Sequence, residues 1–191
     1  MKSILAILAL AAISLAANPY VDLTSDEPVS ATYAGKEWGD NVETTSEDGI
    51  DFSSKVTLQR LATMSWGQVV KVSFAPKGKR KIEPAFLLVT DGQILRLISE
   101  NMDREIKVIS EMKKQPKFEK GDVLALTTGA LKISDESWTT EVKIKEDVST
   151  YLTDNGNGSY TKWVFKKGEG LVEYSEGQGV ADGFRLKAPK K

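Results

Sequence analysis

The chain has 191 residues, 26 basic and 27 acidic side chains, and a formal net charge of −1. It contains neither cysteine nor histidine, which excludes disulfides, thiol nucleophiles, a Ser-His-Asp triad, imidazole-zinc sites and CxxC redox pairs. A near-neutral balance gives no electrostatic case for nucleic acid, so carboxylate pairs, Ser-Lys arrangements and oxygen-ligand metal sites are the chemistries left open.

Residues 1–16 have the three parts of a secretory signal peptide. Lys2 supplies the positive start, Ile4 to Ile13 the apolar core, and Ser14-Leu15-Ala16 a small-x-small cleavage site. The apolar run is shorter than the about 20 residues that a helical membrane span needs. The expectation is an exported protein, periplasmic or secreted, whose mature chain starts at Ala17 and has no transmembrane span after cleavage.

Residues 17–54 read as a polar, acidic N-terminal arm, partly ordered. Asp22, Asp26, Glu27, Glu37, Asp40, Glu43, Glu47, Asp48 and Asp51 face Lys36 as the local cation, while Tyr20, Tyr33 and Trp38 are suited to pin the arm down. Residues 55–187 read as a single antiparallel β domain. Val56, Leu58, Ala62 and Met64, then Val70, Val72 and Phe74, alternate as two strands joined around Ser65-Trp66-Gly67. Pro76 to Lys81 forms a basic loop. Phe86 to Thr90, Asp91-Gly92 and Gln93 to Ile98 form a hairpin, for which Asp-Gly suits a type I′ turn.

Ser99 is placed to cap a helix near 100–114, with Met102, Ile106, Ile109 and Met112 on one face and Pro116 ending it. Lys120-Gly121-Asp122 is a turn, and Val123 to Leu126 resumes strand. Trp138, Thr140, Val142, Ile144, Val148 and Leu152 predict one long strand with a wet opposite face. Asp154 to Gly158 turns the chain into a closing hairpin, in which Trp163 and Phe165 share a face and Lys166 to Gly170 makes the turn. Val180, Phe184 and Leu186 form a last strand, and residues 188–191 a frayed tail.

The run Lys166-Lys-Gly-Glu-Gly-Leu-Val-Glu-Tyr174, with Trp163 before it and Asp182-Gly-Phe-Arg-Leu-Lys187 after it, resembles the end of uncharacterised secreted bacterial β-rich proteins. Those close with an aromatic strand, a Lys-Gly-x-Gly-Leu-Val turn and a final strand. Lys120-Gly-Asp122 and the Trp138 strand extend the likeness over the last third of the chain. The resemblance implies an antiparallel fold and a bacterial envelope setting, and it implies no activity.

The fold class is therefore mainly β: an antiparallel curved sheet, a partial barrel or a sandwich, of about eight to eleven strands, with one helix plugging an end or covering a face. Trp38 and Trp66 lie near loops and are candidates for stacking on a ligand such as a sugar ring, whereas Trp138 and Trp163 sit in core-like alternation. Lys77, Lys79, Arg80 and Lys81 are candidates for an anionic partner, against the plainer reading of a solvated loop. Asp154 to Ser159 offers oxygen ligands without the spacing or closing Glu of a calcium loop, as does the cluster Glu43, Glu47, Asp48 and Asp51. Glu169 with Glu173, or Asp122 with Asp147, are the carboxylates that catalysis would have to pair.

No catalytic motif, metal site or cofactor emerges from these residues. The function expected first is a non-enzymatic exported protein that binds a hydrophobic ligand or an unknown envelope protein. A structural or interaction module follows, then carbohydrate binding, then a carboxylate-based hydrolase.

Overall fold

The computed structural model describes residues 18–39, 49–117 and 121–190. The expected signal peptide and cleavage point, together with Asp40, Glu43, Glu47, Asp48 and Lys120, lie outside the described residues. The chain folds into β1 (Val29–Trp38), β2 (Ile50–Met64), β3 (Gly67–Pro76), β4 (Ala85–Val89) and β5 (Gln93–Leu97), then α1 (Met102–Ser110). There follow β6 (Asp122–Leu126), β7 (Leu131–Ser134), β8 (Thr139–Lys145), β9 (Val148–Asp154), β10 (Ser159–Lys166), β11 (Gly170–Gln178) and β12 (Asp182–Lys187).

The twelve strands among the described residues form one sheet in the order β6-β5-β4-β3-β2-β1-β12-β11-β10-β9-β8-β7, each pair antiparallel. The first six strands run outward from the middle to one edge, and the last six run inward from the other edge. β6 and β7, the two edges, are consecutive in the chain, joined by Thr127, Thr128, Gly129 and Ala130. Such a link reaches no farther than about 18 Å, whereas the edges of a flat twelve-stranded sheet would lie about 50 Å apart. The sheet must therefore curl. Accordingly β6 comes into contact with β8 and β9 across the opening, giving a half-barrel.

That closing seam is polar. Arg96 of β5 pairs with Asp122 of β6 at 2.6 Å, and after burial the charge of Asp122 helps to raise the pKa of the buried Tyr151 hydroxyl on β9. Thr153 donates to the same hydroxyl at 2.6 Å and shares a 2.9 Å bond with Thr140 of β8.

The concave face carries the main core. Trp163 packs on Phe165 at 6.2 Å and on Tyr174 at 4.4 Å between ring centres, and Tyr174 meets Phe184, which meets Phe52. Phe74 of β3 stacks on Tyr174 of β11 at 4.8 Å across the curl, since three strands separate them in the sheet. The convex face of β2 to β5 buries a second cluster, Met64, Val69, Leu88, Leu95 and Leu97, under Ile109, Ile106 and Met102 of α1. Strands buried on both faces explain why Phe86 to Val89 is apolar without alternation. The helix covers a face rather than plugging an end.

Several local expectations are corrected. The helix starts at Met102, with Asn101 as its cap: the Asn101 carboxamide accepts from the Arg104 N–H at 3.1 Å, and Ser99 accepts one step earlier, from Asn101. The run Trp138 to Leu152 is two strands, because the chain reverses at Glu146-Asp147, where Glu146 takes φ 57°. That reversal changes the parity, so Tyr151 and Ser149, not Leu152 and Val148, carry the buried face. Val180 lies in the turn before β12 and is 72% exposed.

The Asp91-Gly92 turn is not type I′, since neither residue has positive φ. Thr90 decides this. Its hydroxyl accepts the Gln93 N–H that its own carbonyl would otherwise take, and that carbonyl is bound by Asn18. Finally, residues 29–38 and 50–54, expected within an arm, are central strands, with β1 paired to both β2 and β12. Lys36 and Asp51 line the wet face, whereas Glu37 falls in the same alternation as Ala31, Tyr33 and Gly35 and masked it.

Candidate binding site

Before β1, residues 18–28 cross the half-barrel as a strap, and its anchors define two recesses. Asn18 holds the first end. Its carboxamide donates to the Thr90 carbonyl at 2.7 Å and accepts from the N–H groups of Tyr20 and Val21 at 3.0 and 3.3 Å. The Gly168 N–H donates to the Pro19 carbonyl at 2.9 Å, so the β10–β11 turn grips the strap from the other half of the sheet. Gly168 sits at φ 73°, a left-handed position that favours glycine. Arg60 of β2 fixes the far end, donating to the Leu23 carbonyl at 2.6 Å and to Asp26 at 2.8 Å. Between these anchors Tyr20 and Val21 are each 2% exposed and join the main core.

The Tyr20 hydroxyl is buried without a hydrogen-bond partner. Burial first, then the nearby charge of Asp147, pushes its pKa up.

On one side of the strap lies a recess of about 350 Å³ lined by Tyr20, Val21, Leu23, Ala31, Tyr33, Val56, Leu58, Leu171 and Val172 among others. Its walls are mostly apolar, and of its two tyrosines Tyr33 commits its hydroxyl to the Leu171 carbonyl, whereas the Tyr20 hydroxyl is the unpartnered one. On the other side lies a larger recess of about 560 Å³, lined by Asn18, Arg60, Thr63, Trp66, Gln68, Thr90, Asp91 and Gln115 among others. Both volumes fall within the usual range of about 300–1,000 Å³ for small-molecule pockets.

The expected contact residues divide. Trp66 lines the larger recess, with its indole N–H donating to the Met112 carbonyl at 2.9 Å. Trp38 does not meet any surface. It is 1% exposed, donates to the Gly179 carbonyl at 3.1 Å, and lies so close to Gly183 that a Cβ there would come within 2.6 Å of its ring. Its place next to a loop in sequence hid a place in the core.

Lys77, Lys79 and Lys81 are exposed as expected of a basic loop. Arg80 is not part of that solvated set. It bonds Glu37 at 2.7 Å and Asp182 at 2.6 Å, and its guanidinium lies 5.4 Å from the centre of the Phe184 ring. Asp182 most strongly, then Glu37, raises its pKa against the opposing effect of desolvation.

The carboxylates considered for catalysis do not converge. Glu173 pairs with Lys162 at 2.7 Å, Glu169 with Lys166 and Asp122 with Arg96. Asp147 sits at the β8–β9 turn beside Tyr20. Asp51, the described member of the acidic cluster, pairs with Lys36, which lowers its pKa. In the Asp154 to Ser159 loop the oxygens serve the turn itself: Asp154 accepts from Gly156 N–H, and Asn157 accepts from both N–H and hydroxyl of Ser159. Among the described residues no group of three or more acidic side chains is placed to hold a metal, and no helix is long and apolar enough to cross a membrane.

Sequence reasoning missed the strap and the residues that hold it, Asn18, Arg60 and Gly168. The available signal was slight: Asn18-Pro19 marks a turn, and Tyr20-Val21-Asp22-Leu23 marks a short extended run. Comparison of the chain with family models, with curated proteins and with solved structures gives no match.

Proposed function

We propose that this is an exported, non-enzymatic protein of the bacterial cell envelope that binds a hydrophobic ligand in the apolar recess beside the strap. The observation that carries the reading is the recess itself: about 350 Å³ beside Tyr33, Val56, Leu58 and Leu171, apolar in its depth and open to solvent at its mouth. A concave apolar surface of this size that water must otherwise cover gains by taking an apolar ligand. Export is supported by the composition of residues 1–16. A non-enzymatic role is supported by the carboxylates considered for catalysis, of which Asp122, Glu169 and Glu173 sit in ion pairs with arginine or lysine instead of facing one another.

The test uses the naphthylamine probe N-phenyl-1-naphthylamine, whose fluorescence rises in apolar surroundings. Titration should show saturable binding that a long-chain fatty acid competes away. Ala31→Trp places an indole into the recess and should abolish the signal while the protein still melts cooperatively. Absence of saturation, or binding unchanged in Ala31→Trp, would reject the hydrophobic-ligand reading in favour of an interaction module.

A further inference from the structure

The larger recess differs from the apolar one in every respect that matters for recognition. Its lining includes neutral hydrogen-bonding groups, the carboxamides of Gln68 and Gln115 and the hydroxyls of Thr24 and Thr63, around a single indole, Trp66, while the Asn18 carboxamide and the Thr90 hydroxyl on the same wall are spent on the strap and the turn. We infer that this recess is a binding site for a neutral sugar, with Trp66 as the stacking surface and Gln68 as the central polar contact.

The Trp66 indole is fixed before any ligand arrives. Its N–H is spent on the Met112 carbonyl, and its body packs against the cluster under α1. What it offers to the recess is carbon surface, the part of an indole that stacks on the C–H face of a sugar ring. A ring held in advance loses little entropy on binding. Beside it, the side-chain oxygen of Gln68 is buried and has no hydrogen-bond partner. An amide oxygen left so costs about 1–3 kcal/mol; it is closed to solvent in the free protein, so Gln68 meets a sugar hydroxyl by turning its amide toward the recess, which relieves that cost. A sugar hydroxyl, which both donates and accepts, suits a wall of amides and threonines better than a purely donating or accepting group.

Charge narrows the class. Asp22 and Asp91 line the recess, whereas Arg60, the one cation among the described residues that line it, is already committed to Asp26 and the Leu23 carbonyl. Uronic acids and sugar phosphates would meet these carboxylates without a free cation, so the preference is for uncharged sugars. The site shares the strap residues Asn18, Asp22 and Leu23 with the apolar recess but lies on the other side of the strap, and its occupancy does not depend on the hydrophobic-ligand reading.

Titration calorimetry of the full chain with cellobiose, maltose and N,N′-diacetylchitobiose tests the inference, with a glucuronate disaccharide as the anionic comparison. At least one neutral disaccharide should saturate, and the anionic one should bind at least about tenfold more weakly. Gln68→Leu and Trp66→Leu should each weaken binding by about tenfold or more. Gln68→Leu serves should Trp66→Leu fail to fold, since it keeps the side-chain bulk and removes only the polar group. Ala31→Trp, which blocks the other recess, should leave sugar binding unchanged. No saturation with any of the neutral disaccharides would overturn the site, as would saturation indifferent to Gln68→Leu.

Discussion

The side-chain amide of Asn18 donates to the main-chain carbonyl of Thr90 at 2.7 Å, joining positions 72 residues apart. Both residues are buried, so neither group has water as an alternative. Through this one contact the strap is tied to the β4–β5 turn, and the turn gives up the carbonyl that a type I′ geometry would use.

Asn18→Ala removes that donor and the acceptor for two strap N–H groups at once. Each buried polar group left unpaired costs about 1–3 kcal/mol, so the variant should lose at least about 2 kcal/mol in urea unfolding. Asp22→Ala, on the exposed side of the strap, should stay within about 0.5 kcal/mol. Equal stability of the two variants would show that the strap contributes nothing to the fold.

Trp163 and Phe165 are both fully buried and packed on one another. Replacing either by alanine should cost about 3–5 kcal/mol through the cavity left behind. Lys166→Ala removes only a pair with Glu169 whose side chains are 38% and 33% exposed, and should fall within about 0.5 kcal/mol. Lys162→Ala is expected between these limits, up to about 1 kcal/mol, because Glu173 is 15% exposed and would retain only Lys187 at 3.9 Å. Thermal melts of the four variants would give that order.

Arg80 should separate from its lysine neighbours in stability measurements. Arg80→Ala strips Glu37 and Asp182 of their shared partner and uncovers Phe184, for an expected loss of about 2 kcal/mol or more. Arg80→Lys should recover little of this, because one ammonium cannot reproduce the planar fork that serves two carboxylates. Lys77→Ala, Lys79→Ala and Lys81→Ala should each stay within about 0.5 kcal/mol. If all four alanine variants melt alike, the link from the basic loop to β1 and β12 is without energetic weight.

Tyr33 sets an alkaline limit. Burial pushes its pKa up to about 12, whereas the unfolded chain ionises a tyrosine near its ordinary value of about 10. The folded state therefore holds its proton longer, so the stabilisation is complete below pH about 10 and declines as pH rises towards about 12. The slope from this group alone is about 1.4 kcal/mol per pH unit. Tyr174, Tyr151, Tyr160 and Tyr20 are raised as well, all chiefly by burial, and steepen the decline. Tyr33→Phe should flatten the fall in stability between pH 10 and 12 relative to wild type, read from urea midpoints; an unchanged slope would place Tyr33 in water.

The sequence by itself determined the class of fold and most of its strands. Period-two alternation is local, and Val70, Val72 and Phe74, or Trp163 and Phe165, announce a buried face wherever the sheet turns out to lie. Helical spacing of Met102, Ile106 and Ile109 located α1 for the same reason. The sequence also determined what chemistry is absent, since histidine and cysteine cannot be supplied by folding.

Local pattern failed where a strand's alternation was overlaid by charge, as in β1, or where a reversal lacked glycine. At Glu146-Asp147 the neighbouring strands impose a left-handed residue on a glutamate, at a cost of about 1–2 kcal/mol that no local signal reports.

Only the tertiary structure decided the sites. Trp38 and Trp66 look alike in sequence, each beside a glycine and a loop, yet one is sealed against Gly183 and the other borders a recess. Arg80 sits among three lysines, but its carboxylate partners lie 43 and 102 positions away. Both recesses exist because a four-residue link draws β6 and β7 together, curling the sheet until the strap bridges its two halves. Such closure brings together residues distant in the chain, and a physical contact between distant residues leaves no periodicity for a single sequence to display.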